Sequence, residues 1–522
     1  MSQITVSNLT FCYEGSYDNI FENVSFQLDT DWKLGFIGRN GKGKTTFLRL
    51  LQGRYEYRGS ISASTAFDYF PYEIKRGQEE LPGAELFELL RPGCEIWRTL
   101  RELEQLSLDP ECLYRPFCTL SHGERIKAML ALSFSQENFF LLVDEPTNHL
   151  DGEARQAVRD YLKSKKGFIL VSHDRELLDA CIDHVLVLNR ESIRVEKGNF
   201  SSWWENKERQ DSFNRGENEK HLREIGKLKA AADRVSRWAD RNESAKIGFD
   251  PVKEHDRSIS TRAYIGAKTK KQQSRVKNME RRINEEIAEK EGLLLDIEEP
   301  VDLKLMPMDF HREVYVFARD ITLGYGGEPV LRDFDFELHR GERVLLKGAN
   351  GCGKSSLIKA VLRQGRRQPE RLWEEPARGG GTESAGGSGM EIRGTLEVPA
   401  GLRISYVNQD TSCLEGSLND FARQGRLDES LLKALLRQLD FERVQFDKRM
   451  ENYSEGQKKK VLLAASLLTP AHLYIWDEPL NFIDVFSRIQ LEKLILRYRP
   501  TMLLVEHDAV FGKRVSTRTV NM

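Results

Sequence analysis

The chain has 522 residues, 39% of them hydrophobic, with a net charge of -2. That is room for two or three domains with sizeable cores, and it excludes a protein that holds polyanions by its overall charge, so any such contact must be local. No apolar run approaches the ~18 residues of a membrane span, no signal peptide opens the chain, and the seven cysteines form no CxxC pair, all of which point to a reducing cytoplasm.

In chain order, "VSFQL" at 24–28 and the strand-like "KLGFI" precede "GRNGKGKT" at 38–45, and the helix-like "TTFLRLL" follows it. G-x-x-x-x-G-K-[ST] between a strand and a helix is a phosphate loop. Its glycines let several backbone N–H groups approach the phosphates, and the helix turns its positive end toward the same anion. Gly38, Asn40, Gly41, Gly43, Lys44, Thr45 and Thr46 are therefore candidate ATP-binding residues, with Lys44 reaching the β- and γ-phosphates and Thr45 ligating Mg²⁺. Tyr13, with Tyr17 as second choice, either stacks on adenine or is an ordinary strand aromatic.

Farther on, "LSHGE" at 120–124 opens the helix-like "RIKAMLALSF". The apolar β-type run "LLVD" ends in Asp144 and Glu145, at the strand end where α/β sheets place their chemistry. Asp144 is expected to hold Mg²⁺ through water, and Glu145 to polarise the attacking water as catalytic base. His173 follows "GFILVS"; a neutral imidazole there can hydrogen-bond the γ-phosphate or the water.

Residues 201–305 read differently. Leu222, Ile225, Leu228, Ala232, Val235 and Trp238 recur at helical spacing within 205–238, and Val276, Met279, Ile283 and Ile287 do so within 268–296. Two narrow apolar stripes predict an antiparallel hairpin reaching roughly 45–50 Å, with a tip loop at about 239–267 broken by Gly248 and Pro251. Between Lys220 and Arg282 there are eighteen Lys and Arg against eight Asp and Glu. A charged helix is usually a solvated face, but this one-sided sign suits a polyanion, RNA first.

The third segment, 306–522, repeats the first. "GANGCGKS" at 348–355 matches the first phosphate loop at an offset of 310, "YSEGQ" and "YIWDEP" match at 333, and "LVEHD" at 334. The repeat adds Tyr325, Gly348, Asn350, Gly351, Gly353, Lys354, Ser355 and Ser356 as ATP-binding candidates, and Ser355 and Asp477 as metal ligands. Glu478 and His507 are the second catalytic pair. The offset grows because the repeat carries a Gly- and Ser-rich stretch at about 374–391, predicted to be a flexible surface insertion. "YVNQ" supplies Gln409 as a metal ligand where the first copy, "YFPY", has Tyr72. A tyrosine cannot replace an amide that reaches metal and water, which leaves that contact open at the first site.

"LSHGE" and "YSEGQ" resemble the signature loop of ABC ATPases. The resemblance implies that each loop completes the other copy's ATP site, Ser121 and Gly123 capping the γ-phosphate at the second and Ser454 and Gly456 at the first, with Glu124 and Gln457 as further ATP-binding residues, so that the chain works as an ATP-driven clamp. The fold expected is α/β, two tandem ABC-type P-loop ATPase domains joined by a long α-helical hairpin linker. Over its whole length the chain resembles the ABC-F family, in which such a linker enters the ribosomal tRNA exit site. The long tip, "DEPLNFID", the end soon after His507, and only 47 residues between Tyr72 and Leu120 resemble the antibiotic-resistance subgroup, nearest the Lsa type. That implies a cytoplasmic monomer using ATP and Mg²⁺, with large-subunit rRNA and tRNA as partners, no membrane, and displacement of lincosamides, pleuromutilins and streptogramin A compounds. Phe249 and Lys246 are the tip candidates, with Lys268, Lys270 and Lys271 on the basic stem; Phe249 stacks on an unpaired base or merely plugs the hairpin end. A housekeeping ABC-F translation factor shares every ATPase motif and is the alternative. A DNA-repair ATPase and an exporter motor fit less well.

Overall fold

The computed structural model describes residues 3–13, 19–39, 42–136, 138–148, 150–188, 193–247, 304–365, 390–439, 441 and 443–522, with residues 274, 277–279, 281–283 and 285–287 between them. Two compact units result: Met1–Trp203 with Pro300–Met522, and Trp204–Glu299.

The first unit holds both copies of the repeat. In each, a three-stranded antiparallel sheet accompanies a mainly parallel one. The first copy's parallel sheet runs Ala66–Phe70, Phe139–Asp144, Phe168–Val171, Lys33–Ile37, His184–Leu188, with Ile193–Lys197 antiparallel at the edge. The second runs Ile404–Val407, Leu473–Asp477, Met502–Val505, Arg343–Lys347, Arg518–Asn521. Apart from the polar edge strands Ile193–Lys197 and Arg518–Asn521, these are largely apolar runs of the sequence, and Phe168–Val171 and Met502–Val505 are buried at every position, as parallel strands covered on both faces require. Register brings the functional ends level: Asp144 lies opposite Val171, and Asp477 opposite Val505. The phosphate loops, the Asp–Glu turns and the histidine turns therefore leave one edge of each sheet together.

The second unit takes in all but the first four residues of the helix Phe200–Ile247, which is 48 residues long, about 70 Å at 1.5 Å per residue. It passes the predicted end at 238 by nine residues, so the tip loop does not begin at 239. The stretch after Trp238 is rich in Ala, Arg, Glu and Lys and meets no Gly or Pro before Gly248, so nothing stops the helix there. Ile225, Ile283 and Ile287 are buried together with Leu228 and Ala232 against them. Leu222 and Met279, placed on the stripe by spacing, are 55% and 53% exposed; the seam is narrower than the periodicity predicts. Phe249, Lys268, Lys270, Lys271 and the side chains of Lys246 and Trp238 lie outside the described residues.

Met390 and Glu391, assigned by composition to the flexible insertion, open the strand Met390–Glu397 and pair with Tyr325 and Gly324. Leu305 already belongs to the second copy's core, and the Tyr474 hydroxyl donates to the Met306 carbonyl at 3.0 Å. Among the described residues, no helix is long and apolar enough to cross a membrane.

Two candidate nucleotide sites

Each phosphate loop feeds its helix through a left-handed glycine. Gly43 has φ 100° and Gly353 φ 104°, a region where side chains are strained, and a Cβ on Gly43 would stand 2.5 Å from the Ile20 methyl. The buried loop lysines fold over their own loops. Lys44 donates to the carbonyls of Gly38 (2.6 Å) and Arg39 (3.1 Å), and Lys354 to those of Gly348 (2.9 Å) and Ala349 (2.8 Å). Asn40 and Gly41 lie outside the described residues, as does Tyr17. The two adenine candidates occupy matching places: Tyr13 hydrogen-bonds Thr46 at 2.7 Å and Tyr325 donates to Ser356 at 3.3 Å. Tyr13 also packs edge-on against Phe11 and Tyr55.

Asp144 and Asp477 end their strands beside the loop hydroxyls. Thr45 donates to Asp144 at 3.1 Å, and Ser355 hydrogen-bonds Asp477. The next residues, Glu145 and Glu478, have φ 49° and 46°. Such left-handed backbone costs about 1–3 kcal/mol away from glycine and persists where neighbours over-determine it. Here each N–H is held by the adjacent strand, Glu145 donating to the Val171 carbonyl at 2.8 Å and Glu478 to that of Val505 at 2.9 Å. The turn aims each carboxylate at the histidine carried on that strand. His173 Nε2 lies 3.3 Å from Glu145 Oε1, and His507 Nε2 lies 3.4 Å from Glu478 Oε1. The four catalytic candidates thus form two equivalent pairs.

Their electrostatics differ. Burial, with the Asp144 charge added, pushes Glu145 up to about 8. Burial and the charge of Lys44 hold His173 well below the usual histidine range, so its imidazole is neutral. Burial also acts to raise Glu478, but its hydrogen bond to His507, that histidine's charge and the Asn481 bond outweigh it and leave the carboxyl below its ordinary value.

The side chains around the glutamates differ too. Gln409 Nε2 donates to Glu478 at 2.9 Å, and Asn481 donates to the same oxygen at 2.7 Å. Beneath them Lys459, 2% exposed, donates to the carbonyls of Asn408 (2.8 Å), Gln409 (3.3 Å) and Asp477 (3.3 Å). It ties the glutamine turn to the metal-side strand. In the first copy Ile126 stands in its place. Tyr72, the positional equivalent of Gln409, turns away: its hydroxyl donates to Asp68 at 2.6 Å and accepts from Arg91 at 3.1 Å. The phenol that reaches the first site is Tyr69, donating to Asp144 at 2.9 Å. Burial and the Asp144 charge keep the proton on Tyr69.

The signature loops cap their helices. Ser121 and Glu124 hold each other's backbone N–H, at 3.2 Å and 2.7 Å, and Ser454 and Gln457 do the same at 3.3 Å and 3.0 Å, capping boxes in the strict sense. A Cβ on Gly123 would lie 3.7 Å from the Leu150 and Ala154 side chains, an ordinary contact, whereas one on Gly456 would meet the Phe482 carbonyl at 2.8 Å. The two copies meet across these loops. A cavity of about 410 Å³ is lined by Asn350, Gly351, Gly353, Lys354, Ser355, Gln409, Glu478 and His507 from the second copy, and by His122 and Arg155 from the first. At the other site the second copy's Asp484 acts on the buried charge of Lys44, and its Arg488 on Glu145. Sequence reasoning missed His122, Arg155, Arg488, Tyr69 and Lys459.

The ABC transporter family profile matches residues 21–148 and 331–481. The chain is 26% identical over 517 residues to the ribosome protection protein VmlR of Bacillus subtilis (strain 168), covering 98% of this chain and 85% of that protein. It is 26% identical to the erythromycin resistance ATP-binding protein MsrA of Staphylococcus epidermidis (96% and 93% covered), and 25% identical to ABC transporter F family member 2 of Arabidopsis thaliana (100% and 76% covered). Among solved structures, archaeal ribosome recycling factor aABCE1, crystallised with the ribosomal stalk protein aP1, superposes with a TM-score of 0.57 at 19% identity, covering 98% of this chain and 87% of that one; this likeness shows the tandem fold. The chain belongs to the ABC transporter family and is an ATPase that carries the family's ATP-binding domain twice.

Proposed function

We propose that the two sites hold Mg·ATP between the copies, and that the chain is an ABC-F protein acting on the ribosome. Thr45 with Asp144, and Ser355 with Asp477, offer the hard oxygens that magnesium takes. Asp477 Oδ1 is buried without a hydrogen-bond partner, which leaves a lone pair for a cation. When bound, the metal neutralises charge on the transferring phosphate. Lys44 and Lys354 leave their loop carbonyls for the phosphates. Glu145 and Glu478 accept the proton of the attacking water, and His173 and His507 hold them in line.

One observation carries the ribosomal reading. Two ATPase copies in one chain are separated by a segment that opens with a 48-residue helix and holds eighteen Lys and Arg against eight Asp and Glu between Lys220 and Arg282. A long basic prong driven by a nucleotide clamp suits structured RNA and tRNA better than a membrane partner. The names of the relatives from Bacillus and Staphylococcus, ribosome protection and erythromycin resistance, support the same direction. We read the chain as a cytoplasmic, monomeric resistance factor of the Lsa type. It enters the tRNA exit site and displaces lincosamides, pleuromutilins and streptogramin A compounds from the peptidyl-transferase centre, with hydrolysis driving its release. The test is expression in a drug-sensitive host, scored across ribosome-targeting classes. Raised inhibitory concentrations for those three classes alone are expected. Unchanged susceptibility throughout, with the ATPase intact, removes the resistance reading.

A further inference from the structure

Aromatic packing between the copies ties one nucleotide site to the long helix. We infer that Phe486 couples the first ATP site, the one built on Lys44, to the root of the helix Phe200–Ile247, so that nucleotide at this site and not at the second sets how that root is held. The inference rests on the reading of the Lys44 loop as an ATP site and needs nothing from the ribosomal reading.

Three observations meet. First, one ring touches both partners. Phe486 is the second residue of the second copy's helix Val485–Tyr498 and is 9% exposed. The Arg39 guanidinium of the first phosphate loop stands over its ring, 5.9 Å from the centroid, within cation–π range. Trp203, 5% exposed and in the first turn of the helix Phe200–Ile247, meets the same ring edge-on at 6.2 Å, and Phe200 packs on Trp203 at 5.8 Å. Such aromatic pairs hold preferred relative orientations, so a shift of Phe486 is passed to the helix root. Second, the phosphate loop has a means of moving that ring. The Lys44 ammonium donates to the Arg39 carbonyl at 3.1 Å. Its charge also acts on Asp484, which caps the helix of Phe486 by accepting from the Ser487 N–H and hydroxyl, both at 2.9 Å. Asp484 is fully buried and lies 3.4 Å from Lys460 of its own copy, so no water replaces a charge that moves away from it. When Lys44 turns to the phosphates, Arg39 and the helix cap lose the same neighbour. Third, the second site has no such link. The positions equivalent to Arg39 and Phe486 are Ala349 and Glu153, the latter exposed. A methyl and a carboxylate form neither the cation–π contact nor the aromatic one. By linkage, whatever moves the root changes nucleotide affinity at the first site in equal measure.

The test uses the full chain. Amide hydrogen exchange is followed over Phe200–Arg209, the first turns of the helix, with and without saturating AMP-PNP. The nucleotide is expected to change exchange there about threefold, the scale of a small shift in local opening, in the wild-type chain and in Lys354→Ala, and to leave it unchanged in Lys44→Ala. Phe486→Ala should abolish the response, while AMP-PNP binding, titrated on the Lys354→Ala background, stays within about twofold. Phe486→Tyr, which keeps the ring, should retain the response. Arg39→Gln leaves the Phe486–Trp203 packing in place and should lose most of it, which keeps the test decisive where Phe486→Ala loosens the fold. No response in the wild-type chain, equal responses in Lys44→Ala and Lys354→Ala, or a full response in Phe486→Ala with binding intact would overturn the inference. AMP-PNP binding unweakened by Lys44→Ala and Lys354→Ala together would overturn the reading of the sites, and the inference with it.

Discussion

Arg175 of the first copy donates to Glu492 of the second at 2.8 Å, with side chains only 5% and 4% exposed. Arg514 meets the other Glu492 oxygen at 2.7 Å. The joint has no symmetry mate. The position equivalent to Arg175 is Ala509, and the one equivalent to Glu492 is Arg159, which pairs instead with Glu176. Among the described residues, then, this buried ion pair between the copies has no counterpart at the equivalent positions. Arg175 opens the helix that follows His173 and Asp174, so the fastening acts directly on the first site's histidine turn. Removing one partner of a buried pair strands the other charge, at about 3–5 kcal/mol. Glu492→Ala and Arg175→Ala should each lower stability on that scale, while Arg175→Met with Glu492→Leu should lose much less. Denaturant unfolding in a double-mutant cycle measures it, and simple additivity would show the pair is uncoupled.

Hydrolysis should divide unequally between the sites. Glu478 is oriented by Gln409, Asn481 and His507, whereas Tyr72 leaves Glu145 without an equivalent of the amide. Glu478→Gln is expected to remove most steady-state ATPase, Glu145→Gln the smaller share, and the double variant to fall about 10²–10⁴-fold while still binding ATP. Phosphate release and nucleotide binding, measured on all three, decide it; equal losses from the two single variants would contradict the geometry.

Lys459→Met tests how the second site is held. The substitution keeps the shape of the stem but withdraws a donor from three carbonyls, at about 1–3 kcal/mol. Gln409 should lose its aim, so kcat should drop about tenfold with KM for ATP nearly unchanged. A rise in KM at constant kcat would place Lys459 in substrate binding instead.

How much of this was legible in the sequence follows from which forces act locally. The phosphate loops, the Asp–Glu turns and the histidines are encoded by short segments whose glycine and strand chemistry is self-sufficient, and the repeat at near-constant offset fixes their order. Tyr69 and Tyr72 are three residues apart in one stretch, and nothing local says which phenol turns to Asp144. That choice is made by Asp68 and Arg91, which capture Tyr72. His122 was hidden because the signature motif directs attention to Ser121 and Gly123. Lys459 carried a faint signal, three consecutive lysines where the first copy has Arg-Ile-Lys. The long helix past 238 was underestimated because the apolar stripe ends before the helix formers do.

Tyr69→Phe separates metal handling from nucleotide binding at the first site. The Tyr69 hydroxyl and Thr45 share one oxygen of Asp144. Loss of the phenol should free that carboxylate to turn, and shift the Mg²⁺ concentration needed for half-maximal ATP binding by a few-fold, on the scale of one hydrogen bond of about 1 kcal/mol. The titration is run with Lys354→Ala, so that the first site is read. An unaltered Mg²⁺ dependence would mean that Thr45 alone sets the carboxylate.

The seam of the second unit gives the final prediction. Ile283 is 8% exposed and packs with Ile225 and Ile287. The cluster is small, with Leu228 and Ala232 partly buried against it, so each isoleucine supplies a large share of what holds the two helices together. Ile283→Ala removes three buried carbons, and large-to-small changes of this kind cost 2–5 kcal/mol in well-packed cores. In a seam this thin about 2 kcal/mol suffices to let the pair open, because an isolated helix gains little stability from propensity alone. Amide hydrogen exchange should quicken around Ile225 and Ile283 and stay unchanged around the phosphate loops. ATP affinity should hold. If the prong is what the ATPase drives, drug susceptibility of the host should return to that of cells lacking the protein. Full protection with a demonstrably loosened seam would separate the prong's rigidity from its action.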